Sequence, residues 1–117
     1  AGVVAILDWE LAHIGDPMED LGWPCVPSWR FGQHQNPVGG FGQREDFYAA
    51  YEAAGGKIDR AAVRFWEILG TLKWGIMCTM MATAFTSGAD RTVERAAIGR
   101  RASETEIDLL RMLEGQD

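Results

Sequence analysis

The sequence predicts a mainly α protein with one short N-terminal strand. Three observations carry this. Residues 60–86 repeat large apolar side chains at close to helical spacing. Helix-start signals recur at Asp16-Pro17, at Asp59 and at Ser103 with Glu106. A single β-branched apolar run, residues 3–7, stands apart from these. The 117 residues suffice for one small domain with its own core, and a 47% hydrophobic content marks a globular chain.

Each element follows in order. Val3, Val4 and Ile6 favour a buried strand over a helical turn. One strand cannot make a sheet, so its backbone groups need partners from elsewhere. At residues 17–23, Asp16 is the N-cap, Pro17 fits the first helical position and Glu19 the third. Pro24 and Pro27 end this helix early. Residues 24–42, with three prolines and four glycines, read as a loop. Residues 43–54 read as an amphipathic helix with Phe47, Tyr51 and Ala54 on one face, stopped at Gly55 or Gly56.

Asp59 then caps the longest helix, residues 60–86. Phe65, Leu69, Leu72, Ile76, Met80 and Phe85 form its apolar stripe. Trp66, Trp74, Met77 and Met81 widen that stripe until it nearly encircles the helix, which predicts a central helix packed on several sides. Gly70 and Gly75 are costly inside a helix, so they mark close helix contacts. Residues 90–99 suggest a further helical piece. A capping box at Ser103 and Glu106 opens a last helix over residues 104–114, with Ile107, Leu110 and Leu113 facing the core.

Composition excludes some functions. A net charge of −6, from 17 acids and 11 bases, offers no large basic surface to nucleic acid or an anionic membrane. The charge-poor stretch 74–89 is too short and too polar for a membrane span. Cys25 and Cys78 form no C-x-x-C pair and read as reduced thiols of a cytoplasmic protein, with a disulfide between them as the alternative. His13 reads as a loop histidine bonded to backbone, with reach toward a metal site as the alternative, and His34 as solvent-facing. The Gly39-Gly40-Phe41-Gly42 stretch follows no strand and reads as a flexible loop, not a phosphate cradle. Glu67 and Lys73 are rare charges on the long helix and read by default as a solvated stripe, with one of them facing a substrate pocket as the alternative. The three methionines Met77, Met80 and Met81 read as core filling.

Asp8 is the principal candidate site residue. A carboxylate where a buried strand ends is well placed to hold a hard cation such as Mg²⁺, which takes one or two carboxylates together with waters and phosphates. On the residues alone the favoured reading is the plainer one, an aspartate closing a turn through its own backbone hydrogen bonds; only the resemblance described next puts metal binding first.

The string ILDWELAHIGDPMEDLG resembles the segment that follows the catalytic loop in the aminoglycoside phosphotransferase family, which are kinase-like enzymes acting on small molecules. The elements that carry the resemblance are Ile6, Leu7, Asp8, Trp9 and Glu10, then Gly15, Asp16 and Pro17, then Asp20 and Leu21. Weaker similarity runs through residues 48–56 and 73–88. The resemblance implies that Asp8 binds the Mg²⁺ that bridges the phosphates of ATP or GTP, in a cofactor and metal role combined. It leaves Asp16 and Asp20 structural, with a supporting role beside the catalytic loop as the alternative for Asp20.

The same resemblance implies the helical C-terminal subdomain of a protein-kinase-like fold. Residues 1–22 would be a metal-binding strand-turn segment and residues 43–117 the helical subdomain of one domain. The family's His-x-Asp…Asn catalytic loop and its nucleotide-binding lysine have no counterpart in this sequence. The expectation is therefore a C-terminal fragment, inactive alone, of an enzyme whose partners are a nucleotide and a small hydroxylated acceptor. Apolar surfaces left bare should make the fragment self-associate. A self-sufficient helical interaction module without catalysis, or a degenerate family member kept for binding, is the alternative.

Overall fold

The computed structural model describes residues 2–116. The described residues form five α-helices: α1 Pro17–Gly22, α2 Arg44–Ala53, α3 Arg60–Ser87, α4 Val93–Gly99 and α5 Ala102–Leu113. Three short 3-10 turns, Trp9–Leu11, Trp23–Cys25 and Pro27–Arg30, join the early part of the chain. The fold is mainly α, as the helix signals predict.

The helices begin where the caps say they should. The Asp16 carboxylate accepts from the Met18 N–H at 2.9 Å, and Asp59 accepts from the N–H groups of Ala61 and Ala62. Gly88, at φ 83°, ends α3 in the left-handed conformation that glycine tolerates best. The predicted box at Ser103 and Glu106 does not start α5. That helix begins at Ala102 after Arg101, which makes no side-chain cap.

α3 is the axis of the molecule. α1, α4 and α5 all pack on it. Small residues set these crossings. A Cβ on Gly22 of α1 would lie 2.8 Å from the Glu67 backbone nitrogen of α3, and one on Gly99 of α4 would lie 2.8 Å from the Ala82 Cα. Gly70 and Gly75 are close-contact positions as predicted, against Val26 with Trp23 and against Thr105 respectively. Met18, Leu21, Tyr48 and Val63 form a buried cluster, flanked by Phe47, Tyr51, Ile58 and Trp66.

Four further expectations are corrected. Residues 3–7 are not a strand; the segment has no regular structure and is exposed, and no sheet forms among the described residues. A strand exists only through hydrogen bonds to a neighbour, and none of the described residues supplies one. Residues 24–42 are more than a loop: Cys25 and Val26 are fully buried, and Ser28, Arg30 and Val38 nearly so. The glycine-rich stretch is a pinned turn. Gly39 donates to the Pro24 carbonyl at 2.8 Å, Val38 to Gly42 at 3.1 Å, and Phe41 and Gly42 to the Val38 carbonyl.

The fourth correction concerns faces. Phe65, Leu69, Leu72, Ile76 and Met80 do not line the core; they are 37–66% exposed. The buried face of α3 is Val63, Glu67, Gly70, Thr71, Trp74 and Cys78, on the opposite side. On α5, Ile107, Leu110 and Leu113 are likewise exposed, while Thr105 and Met112 are buried. A helix that is apolar nearly all round can present either side to its neighbours, and here the smaller side wins because it allows close backbone approach. By length and composition α3 is apolar enough to cross a membrane, and 22% of its apolar window is buried in this fold. Cys25 and Cys78 are buried free thiols, and burial pushes the Cys78 thiol up.

Candidate functional site

Asp8 lies at the junction between the apolar N-terminal segment and the 3-10 turn Trp9–Leu11. Its backbone is left-handed, φ 62° and ψ 47°, a conformation uncommon outside glycine although aspartate tolerates it better than most. The Trp9 indole N–H donates to the Ile6 carbonyl at 2.8 Å and brackets Asp8 from both sides. The Ala12 N–H donates to the Trp9 carbonyl and closes the turn. The Asp8 side chain does not cap this turn, and it is exposed. The turn-closing reading therefore fails: the carboxylate is displayed outward.

The segment carrying Asp8 reaches the helical body through Asp16. One carboxylate oxygen of Asp16 caps α1, and the other accepts from the Trp66 indole N–H of α3 at 2.8 Å. These two bonds hold the carboxylate below its ordinary value of 3.8, the backbone bond contributing most. Asp16 is thus structural, as predicted. Its link to a residue 50 positions away is invisible in the sequence. Asp20 is exposed on α1.

His13 differs in part from its expected role. Its Nδ1 meets the Leu11 carbonyl at 3.1 Å, as a loop histidine should, and its Nε2 also meets the Glu19 carboxylate of α1 at 3.0 Å. The Leu11 carbonyl, then Glu19, raise its pKa above 6.5. Lys73 approaches the other Glu19 oxygen at 3.7 Å.

Glu67 was expected on a solvated stripe. It is instead fully buried and is the hub of an ion cluster. Arg44 donates to it at 2.8 Å, Arg64 at 3.2 Å and Arg30 at 3.3 Å. The signal that could have found it is compositional: a lone carboxylate amid apolar helix residues needs buried partners.

As a metal site, Asp8 brings one hard oxygen donor. Among the described residues no group of three His, Cys, Asp or Glu side chains converges to hold an ion. That donor set fits Mg²⁺ shared with nucleotide phosphates and does not fit a closed protein cage. A separate groove of about 200 Å³ lies between the Pro27–Arg30 turn and α5, lined by Arg30, His34, Asp108, Arg111 and Met112. Burial raises the Asp108 carboxyl there against the pull of Arg111 and Arg30. His34 is exposed, as predicted.

The sequence model of the phosphotransferase enzyme family (APH) matches residues 1–66, from the Asp8 segment through α1 and α2 into the first turns of α3. No curated protein and no solved structure matches the chain.

Proposed function

The chain belongs to the phosphotransferase enzyme family, and on that premise we propose that it is the C-terminal, helical part of an enzyme that transfers the γ-phosphate of ATP or GTP to a hydroxyl of a small molecule in the cytoplasm. In this reading the acceptor oxygen bonds to the γ-phosphorus, the bond to the β-phosphate oxygen breaks, and the hydroxyl proton passes to a base carried by polypeptide outside these residues. Mg²⁺, when bound, neutralises the charge on the phosphates. Residues 1–22 hold the metal ligand and residues 43–117 are the helical subdomain.

The observation that carries the reading is the display of Asp8. Its carboxylate projects from a left-handed turn inside the family-matched segment, on a chain anchored to α1 and α3 through Asp16. Side chains held in unusual backbone geometry cluster at functional sites. A second observation supports the same arrangement. The stripe from Phe65 to Met80 on α3, the Ile107, Leu110 and Leu113 edge of α5, and the segment from Val3 to Leu7 are all apolar and bare. Surfaces of this kind are contact surfaces. We read them as docking the remainder of the enzyme, and as the cause of self-association when the chain is alone.

The test is a small-molecule kinase screen on the full-length protein with Asp8→Asn as control. Phosphoryl transfer that disappears in Asp8→Asn supports the reading, and transfer that survives the substitution refutes the role of Asp8. The 117-residue chain by itself should bind Mg–nucleotide weakly by calorimetry, because one carboxylate supplies few of the contacts. The bare stripes also favour a second reading, a non-catalytic helical module that binds partners through them. A full-length protein without phosphotransfer to any acceptor would favour that module.

A further inference from the structure

We propose that His13 is a positioning residue: as an imidazolium it clasps the turn that carries Asp8 to helix α1 through Glu19. The proposal rests on the reading of Asp8 as the metal ligand, and its geometry stands independently of it.

The argument starts from hydrogen-bond inventory. The Nδ1 of His13 faces the Leu11 carbonyl at 3.1 Å and the Nε2 faces the Glu19 carboxylate at 3.0 Å. A carbonyl and an ionised carboxylate only accept. Both ring nitrogens must therefore carry a proton for both bonds to exist, and that species is the imidazolium. Neutral imidazole has one N–H and can satisfy only one of the two partners.

The clasp joins two bodies. Leu11 is the last residue of the 3-10 turn that follows Asp8, and Glu19 is in the first turn of α1. Glu19 is itself oriented from α3, where Lys73 approaches its other oxygen at 3.7 Å. Lys73 also lies over the Trp23 ring, 5.9 Å from its centroid. The ring needs room, and Gly15 supplies it: a Cβ at that position would stand 2.9 Å from the His13 Nε2. Any side chain at residue 15 would displace the imidazole from Glu19. Asp16, next in the chain, is tied to Met18 and Trp66. Without His13 the path from Asp16 back to Asp8 has no other side-chain bond to a helix among the described residues.

The pH sense follows. The charged groups facing His13 are Glu19 on α1, which favours the imidazolium, and Lys73 on α3, which opposes it; the Leu11 carbonyl adds the largest favourable contribution. A group whose pKa is raised by folding stabilises fully below its unfolded value, and the stabilisation is lost as pH rises through the folded one. The Asp8 turn is thus held at mildly acidic pH and released from α1 as pH rises.

The test is side-chain and backbone NMR on the 117-residue chain, which involves neither metal nor nucleotide. His13 should titrate above its value in the urea-unfolded chain. The heteronuclear NOEs of residues 9–12 should fall through the same midpoint. Glu19→Gln should lower that midpoint, and His13→Gln should leave those NOEs low at every pH. Asp8→Asn should change none of this, so failure of the clasp is distinguishable from failure of the Asp8 assignment, which the kinase screen judges. A His13 midpoint equal to the unfolded one, or NOEs that ignore its titration, would overturn the proposal.

Discussion

The buried Glu67 carboxylate of α3 accepts from the Arg30 guanidinium at 3.3 Å, across 37 residues of chain. Arg30 ends a 3-10 turn and donates at the same time to the Cys25 carbonyl at 3.2 Å. The pair therefore fastens the Gly/Pro-rich connection to the N-terminal third of the central helix. Removing one partner of a buried ion pair leaves the other charge in a poor solvent. Glu67→Ala should destabilise the chain by about 3–5 kcal/mol, read as a lower urea midpoint with unchanged slope.

The contact of α1 with α3 depends on the missing side chain of Gly22. A Cβ there would meet the Trp66 Cβ and the Glu67 backbone nitrogen, both at 2.8 Å. Backbone cannot swing aside as a side chain can, so the helices must separate. Gly22→Ala should cost roughly 1–3 kcal/mol by thermal denaturation, in spite of the better helix propensity of alanine.

Asp16 makes stability depend on acid. Its carboxyl is held below 3.8 by the Met18 N–H first and the Trp66 indole second. A depressed carboxylate contributes stability above its unfolded pKa, and the contribution is lost as pH falls through the folded value. The stability gap between wild type and Asp16→Ala should be constant near neutrality and should close as pH drops below about 4. Thermal melts of the two proteins across that range check it; a gap that persists in strong acid would show that the carboxylate charge is not what matters.

The bare stripe of α3 should drive association of the 117-residue chain. Leu72 and Ile76 sit in mid-stripe, 45% and 55% exposed, so charges there reach water in a monomer and are buried in an oligomer. The double variant Leu72→Lys, Ile76→Lys should be monomeric by light scattering where the wild type is larger, with an unchanged far-ultraviolet circular dichroism spectrum.

The helices and the motif were legible in the residues themselves. Asp16 with Pro17, and Asp59 before a long apolar stretch, mark helix starts through bonds that span only two or three residues. The family resemblance, carried by ILDWEL and its neighbours, is what points to Asp8, and the family match covers that same stretch. The Asp59 cap and the apolar periodicity together place α3 at residues 60–86, within one residue of its observed end.

Three-dimensional packing decided the rest. A helix with apolar side chains on both sides carries no internal signal for which side turns inward. Gly70, Gly75 and Thr105 decided it, by allowing α3 a close approach to the Trp23–Val26 region and to α5 that the Phe65–Met80 side could not match. Glu67 became a core residue only because Arg30, Arg44 and Arg64 converge on it from up to 37 positions away. The segment from Val3 to Leu7 has strand-forming residues and no strand, since pairing is a property of two segments and one of them is not enough. Local hydrogen bonds and propensities are written in consecutive residues; burial and pairing are relations between distant ones, and only the assembled structure sets them.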